Sequence, residues 1–291
     1  ITEPLNMKER LLPFLYAPID KRKEMDDTLW NVFRDEVYNI IGKTPTGQPA
    51  DVLAQEVVNI MFQRIVDNTI EGLLLDVYYQ WADSAEKVDV LRKYVESYTL
   101  NVDIDALEVH PDHPFDLLDR KLMKQLSNAI KSGQDTTDIV KYIQKRSASR
   151  KAKVFKPQWL SSVLTLCTFE MKDMNDIDDY TKMADFYRQN FSMLDTAMRK
   201  IYVAWLNDEP TLRPLQEHYT QLNKELLTKW YSLNGKYTPT QAGIVANALE
   251  GNKRTAVIVC DGLRLEIAEC VANGLTDKDM MISRNVALAA L

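Results

Sequence analysis

Thr255-Ala-Val-Ile-Val-Cys260-Asp261-Gly262-Leu-Arg264-Leu-Glu266-Ile-Ala-Glu-Cys270 is the stretch on which the fold turns. Ala256–Cys260 is a run of small and β-branched apolar residues, which predicts a buried strand. Asp261-Gly262 ends it abruptly, and Leu263–Asn273 has the composition of a helix, closed by Gly274-Leu275-Thr276. A strand that delivers a carboxylate at its C-terminal end, with a helix beginning beside it, is how open α/β sheets build sites for ions and phosphates. Met280–Leu291 supplies a candidate second strand, giving a right-handed β-α-β unit. Too few residues follow Asp261 for the further strands such a sheet needs, so the α/β part is expected to be truncated.

Working outward toward the N-terminus, the pattern is helical. Met25–Ile41 spaces Leu29, Trp30, Phe33, Val37, Ile40 and Ile41 three and four apart. Thr44-Pro-Thr-Gly-Gln-Pro49 is a turn, and Val52–Trp81 resumes the periodicity through Val57, Ile60, Met61, Ile65 and Leu73–Leu75. Ala85–Thr99, Asp116–Ser132 and Thr136–Ser147 read as further helices, with Asn101–Pro114 irregular between them. After Pro157, the segments Trp159–Met174, Asp178–Asn207 and Pro214–Asn234 place many aromatic residues at helical spacing, a pattern of core packing. Thr238-Pro239-Thr240 marks a loop or a helix start. The fold class predicted is mainly α: a multi-helical N-terminal region followed by the first β-α-β unit of an α/β domain. Three regions follow from this, 1–150, the aromatic-rich 151–252 and 253–291.

Composition narrows the classes. The 291 residues carry 45% hydrophobic and 27% charged side chains, ordinary globular values that exclude wholesale disorder. A net charge of −6 opposes non-specific nucleic-acid binding. Lys141–Lys156 is the local exception, with seven basic residues and no acid, read as a solvated helix end and linker or as a basic patch. Cys167, Cys260 and Cys270 are widely spaced in apolar contexts, as reduced buried thiols of a cytoplasmic protein would be. There is neither a signal-peptide pattern nor an apolar run of membrane-spanning length, so no membrane partner is expected.

Several polar groups invite a chemical reading. Gly42-Lys43-Thr44 lacks the first glycine and the preceding strand of a phosphate-binding loop. His110-Pro-Asp-His113-Pro114 cannot set both histidines on one helical face, and reads as a loop docked by Phe115, Leu117 and Leu118. Glu170–Asp179 lacks the central glycine and final glutamate of a calcium loop and reads as a capped connection between helices. His218 reads as a packed or surface histidine. Asp261 can ligate a divalent metal, accept a ribose hydroxyl, act as a base or cap the next helix. Arg264 stands where a guanidinium could meet an anion.

Val257-Ile-Val-Cys-Asp261-Gly-Leu-Arg264-Leu-Glu266-Ile-Ala268 resembles the opening strand and helix of the PglZ domain, a branch of the alkaline phosphatase superfamily associated with BREX-type phage defence. Upstream, Tyr180-Thr-Lys-Met-Ala-Asp-Phe-Tyr187 and Leu194-Asp195-Thr-Ala-Met-Arg199-Lys-Ile-Tyr202 are similar to the helical pattern that precedes that domain. The resemblance covers roughly residues 155–291. It implies a metal-dependent phosphatase or phosphodiesterase in which Asp261 is a metal ligand and the metal, commonly zinc, is one of two. Arg264 has no assured catalytic counterpart there. The family's Ser or Thr nucleophile follows the second strand in a Pro-Ser loop, and Ser283 stands too early for that role. With the other ligands also missing, residues 1–291 alone are expected to be inert. The implied partners are other phage-defence proteins, with nucleic acid a further one for the full-length protein. The alternative is a helical protein–protein interaction scaffold.

Overall fold

A computed structural model of the chain describes residues 5–101, 103–233, 240–250, 254–276, 278 and 280–283. In chain order the helices are α1 (Met7–Tyr16), α2 (Pro18–Lys23), α3 (Asp27–Ile41), α4 (Ala50–Val66), α5 (Gly72–Ala82), α6 (Val88–Ser97), α7 (Asp116–Ser132) and α8 (Thr137–Ala148). They continue with α9 (Leu160–Cys167), α10 (Tyr180–Phe186), α11 (Ser192–Trp205), α12 (Glu209–Ser232), α13 (Gln241–Leu249) and α14 (Leu265–Thr276). Among the described residues there is no strand. The protein is mainly α, as the periodicity predicts.

The chain divides into two compact units, one of residues 1–129 and 133–160, the other of residues 130–132 and 161–291. In the first unit α4 is the central helix, packed against α1, α2, α3 and α5. Leu53, Ala54, Val57, Val58, Met61, Phe62 and Ile65 are all fully buried, so α4 is covered on more than one face. Phe14 of α1 stacks edge-on to Phe33 of α3 at 5.0 Å and tilts against Trp30 at 5.9 Å. Asp26 caps α3, accepting a bond from Leu29 N at 2.7 Å, and Gly42 ends it with φ of 73°. Gly42 is therefore a helix C-cap, which accounts for the glycine without a phosphate.

Differences from the sequence reading lie at breaks. The Val52–Trp81 periodicity is divided between α4 and α5, because Asn68 takes φ of 54° and Gly72 φ of 56°. Trp159–Met174 shortens to α9, and the acidic connection follows it. There Asp173 accepts from Asn175 N at 2.9 Å and Asp179 caps α10 through Lys182 N at 2.7 Å. Asp178–Asn207 divides into α10, a π turn (Tyr187–Phe191) and α11. Thr240 caps α13, accepting from Gly243 N at 3.1 Å.

The expected strand Ala256–Cys260 is not formed: residues 254–260 are neither helix nor strand, and Ile258 is 85% exposed. A β segment is stable only when a neighbour accepts its backbone bonds and covers its side chains, and no described residues do so here. Most of the second candidate strand, residues 284–291, lies outside the described residues. The helix after Asp261 does form, as α14. The same lack of cover corrects the cysteine reading. Cys260 and Cys270 are exposed, and Cys167 alone is half-buried, its thiol pushed up to about 12 by burial.

Candidate functional site

The second unit gathers its polar side chains around Asp195. Tyr187 donates to Asp195 Oδ2 at 2.5 Å and Tyr219 donates to Oδ1 at 2.7 Å, so both carboxylate oxygens are occupied. Tyr187 and Asp195 are eight residues apart. In a regular α-helix that spacing leaves them roughly 80° apart around the axis. The π turn beginning at Tyr187 winds less per residue and closes that gap. Tyr219 comes from α12, which packs on α11. Burial raises both phenol pKa values, and the bonds to Asp195 raise them further, so neither tyrosine is a base at neutral pH. With both oxygens engaged, Asp195 ties the turn that precedes α11 to α12.

One turn along α11 from Asp195 stands Arg199. Its guanidinium donates to Thr196 Oγ1 at 3.4 Å and forms an ion pair with Glu266 of α14 at 2.6 Å. Both partners are about one-third exposed, at 31% and 29%, so the pair adds little net stability. α14 lies against α11, and this pair is one of the contacts between them. Sequence reasoning quoted both residues but assigned neither a role. No local pattern pairs them, because 67 positions separate the two and only helix packing brings them together.

Asp261 and Arg264, the residues predicted for chemistry, are both exposed. Gly262 takes φ of 67°, the left-handed turn that lets the chain leave Asp261 and enter the helix. Asp261 does not cap α14, whose first backbone bonds run from Ile267 N and Ala268 N to Arg264 O. Arg264 thus precedes the helix and does not lie within its first turn. Among the described residues no group of three or more His, Cys, Asp or Glu stands together to hold a metal ion. Asp261 is one carboxylate, and a zinc site needs about four ligands.

Searched against protein-family models, curated proteins and solved structures, the chain matches none.

The first unit holds a second polar centre, of a different kind. Arg146 is fully buried and binds Asp119 through two bonds, Nε to Oδ1 at 2.6 Å and Nη2 to Oδ2 at 2.8 Å. Its remaining donors reach Pro111 O at 2.6 Å, His113 O at 3.2 Å and Phe155 O at 3.2 Å. Asp112 pairs with Lys156 at 2.7 Å and accepts from Tyr79 at 2.8 Å and Ser149 at 2.9 Å. Burial pushes Asp119 up to about 6 against the pull of Arg146, and pushes His113, fully buried, well below the ordinary imidazole range. Every strong donor here has a protein acceptor, which marks a structural clamp. The His110–Pro114 loop is docked as expected, by buried Phe115 and Leu118, whereas Leu117 is exposed. Arg146 and Lys156 turn inward, so the basic stretch Lys141–Lys156 presents less charge than its sequence implies.

Proposed function

We propose that this chain is the helical lead-in and opening segment of a PglZ-like, metal-dependent phosphoric-ester hydrolase of bacterial or archaeal phage defence. One observation carries the reading: the Arg199–Glu266 ion pair joins the two stretches on which the resemblance rests, residues 180–202 and 257–268. The Tyr187–Asp195–Tyr219 clamp supports it, because it gives the motif's tyrosine and aspartate a joint physical task.

In this reading the helical unit positions α14, and α14 positions the turn that carries Asp261. A divalent metal, zinc in the related enzymes, supplies the charge that activates a nucleophile. The described residues do not compose that metal's site, so no catalytic step is assigned to them. Residues 1–291 are expected to hydrolyse no phosphodiester with or without zinc. The full-length protein is expected to hydrolyse a chromogenic phosphodiester when zinc is added, and Asp261→Ala to abolish that hydrolysis. Unchanged zinc-dependent turnover in Asp261→Ala would rule out the role given to Asp261.

A scaffold role is the second reading, favoured by exposed apolar side chains on α11 and α12. Val203 is 79% and Tyr231 80% exposed, and Met193 and, just past the end of α11, Leu206 are exposed as well. The partners in this reading are other defence-system proteins, in the cytoplasm. A pull-down with residues 1–250 that retained no such protein would count against it.

A further inference from the structure

Two histidines of the first unit hold their loop through ring nitrogens that must stay unprotonated. His110 Nδ1 accepts from Asp112 N at 3.1 Å, and His113 Nδ1 accepts from Phe115 N at 3.2 Å. A ring nitrogen that accepts carries no proton, so both imidazoles are neutral with the proton on Nε2. Each bond runs to the backbone N–H two residues on, the turn that Asp and Asn side chains ordinarily make. Elsewhere this chain uses Asp for that turn, at Asp105, Asp135 and Asp173. At 110 and 113 the acceptor is instead a group that titrates close to neutral pH.

The loop is also a junction of helices. His110 N donates to Ile65 O of α4 at 3.0 Å, and Tyr78 of α5 donates to Asp112 O at 2.6 Å. From α8, Tyr142 donates to Val109 O at 3.0 Å, and Arg146 reaches the carbonyls of Pro111 and His113. Phe115 leads directly into α7.

A proton on His113 is opposed on several sides. Its ring is buried, and Arg146, Lys156 and His110 all act against a positive charge there. It stands just before α7, whose N-terminal end disfavours a cation. The nearest anion is Asp119 of α7, 3.9 Å from Nε2, but both oxygens of Asp119 already bind Arg146. Asp112, beside His110, is engaged by Lys156, Tyr79 and Ser149, and Asp83 past the end of α5 accepts from Ala152 N. Tyr78, Tyr79 and Tyr142 are raised by burial and stay neutral in acid.

We propose that residues 110–115 form an acid-released latch: protonation of His113 and His110 breaks both turns and frees the loop from α5 and α8 while the rest of the unit stays folded. The proposal is independent of the hydrolase reading. Burial lowers both imidazole pKa values in the closed loop, and opening returns them to about 6.5. Closure is therefore at full strength above about pH 6.5 and weakens as pH falls below it. The open-to-closed ratio rises about tenfold per pH unit for each histidine. Asp119 has the opposite sign, since burial pushes it up to about 6 and its proton is held better in the closed form.

The test is hydrogen exchange of the full chain, read by mass spectrometry from about pH 7.5 to about pH 5 and corrected for the intrinsic rate. Protection of residues 109–116 should fall about tenfold or more from about pH 6.5 to about pH 5.5, while α3 keeps its protection. The double variant His110→Asn, His113→Asn retains an acceptor that does not titrate, and should hold its protection over that range. Nitrogen NMR of the wild-type histidine rings needs no variant and should show His110 and His113 protonated on Nε2 alone at about pH 7.5. Constant protection in the wild type, an equal fall in the double variant, or loss of α3 protection at the same pH each overturns the proposal. So does a proton on Nδ1 of either ring at that pH.

Discussion

Arg146 shows how much one side chain decides. It lies in a stretch of seven basic residues, yet it is fully buried and every one of its bonds stays within the protein. Removing a partner from a buried ion pair leaves an uncompensated charge in the interior, at a cost of about 3–5 kcal/mol. Arg146→Met should therefore lower the unfolding free energy of the chain by about that amount in urea titration. Adding Asp119→Leu to the same variant should recover part of the loss and not all of it. The carbonyls of Pro111, His113 and Phe155 would still lack the donor that Arg146 provides.

Among the elements, α11 and α12 meet through a shared carboxylate. Asp195 takes one bond from the π turn that precedes α11 and one from Tyr219 on α12. Hydrogen bonds to a charged acceptor are worth about 1.5–3 kcal/mol when buried, and less here because the tyrosines are only half-buried. Tyr187→Phe and Tyr219→Phe should each lower stability by about 1 kcal/mol. Because both bonds converge on one carboxylate, the double variant should depart from the sum of the singles by about 0.5 kcal/mol or more. Denaturant titration of the full cycle measures both quantities, and strict additivity would mean that the two bonds act separately. The π turn was not legible in the sequence, since Tyr187–Phe191 carries ordinary helix-compatible residues. It is what brings Tyr187 round to Asp195.

Across the whole molecule, the division into two compact units has a thermodynamic consequence. Each unit has its own buried residues, with Phe14, Phe33, Phe62 and Trp81 in one and Phe191, Leu194, Ile201 and Leu215 in the other. Units with separate cores unfold as separate cooperative transitions when few contacts join them. Calorimetry should resolve two transitions, one shifted down by Arg146→Met and the other by Asp195→Ala. A single transition moved by both variants would show that the units unfold together. Among the described residues no helix is long and apolar enough to cross a membrane.

The amino-acid sequence by itself determined the helical class, most helix positions and the helix after Asp261, because apolar residues three and four apart can bury only one face of a helix. The capped connection ending at Asp179 was legible too, since a cap acts locally, whereas the caps at Asp26 and Gly42 emerged only with the structure. Tertiary structure alone decided which polar residues meet. Arg199 and Glu266 lie 67 positions apart, and Asp119 and Arg146 lie 27 apart. Such pairs depend on how helices pack, which no local pattern encodes. It also decided the state of Ala256–Cys260. An apolar β-branched run has the propensity for a strand, and becomes one only where a neighbouring strand accepts its backbone bonds.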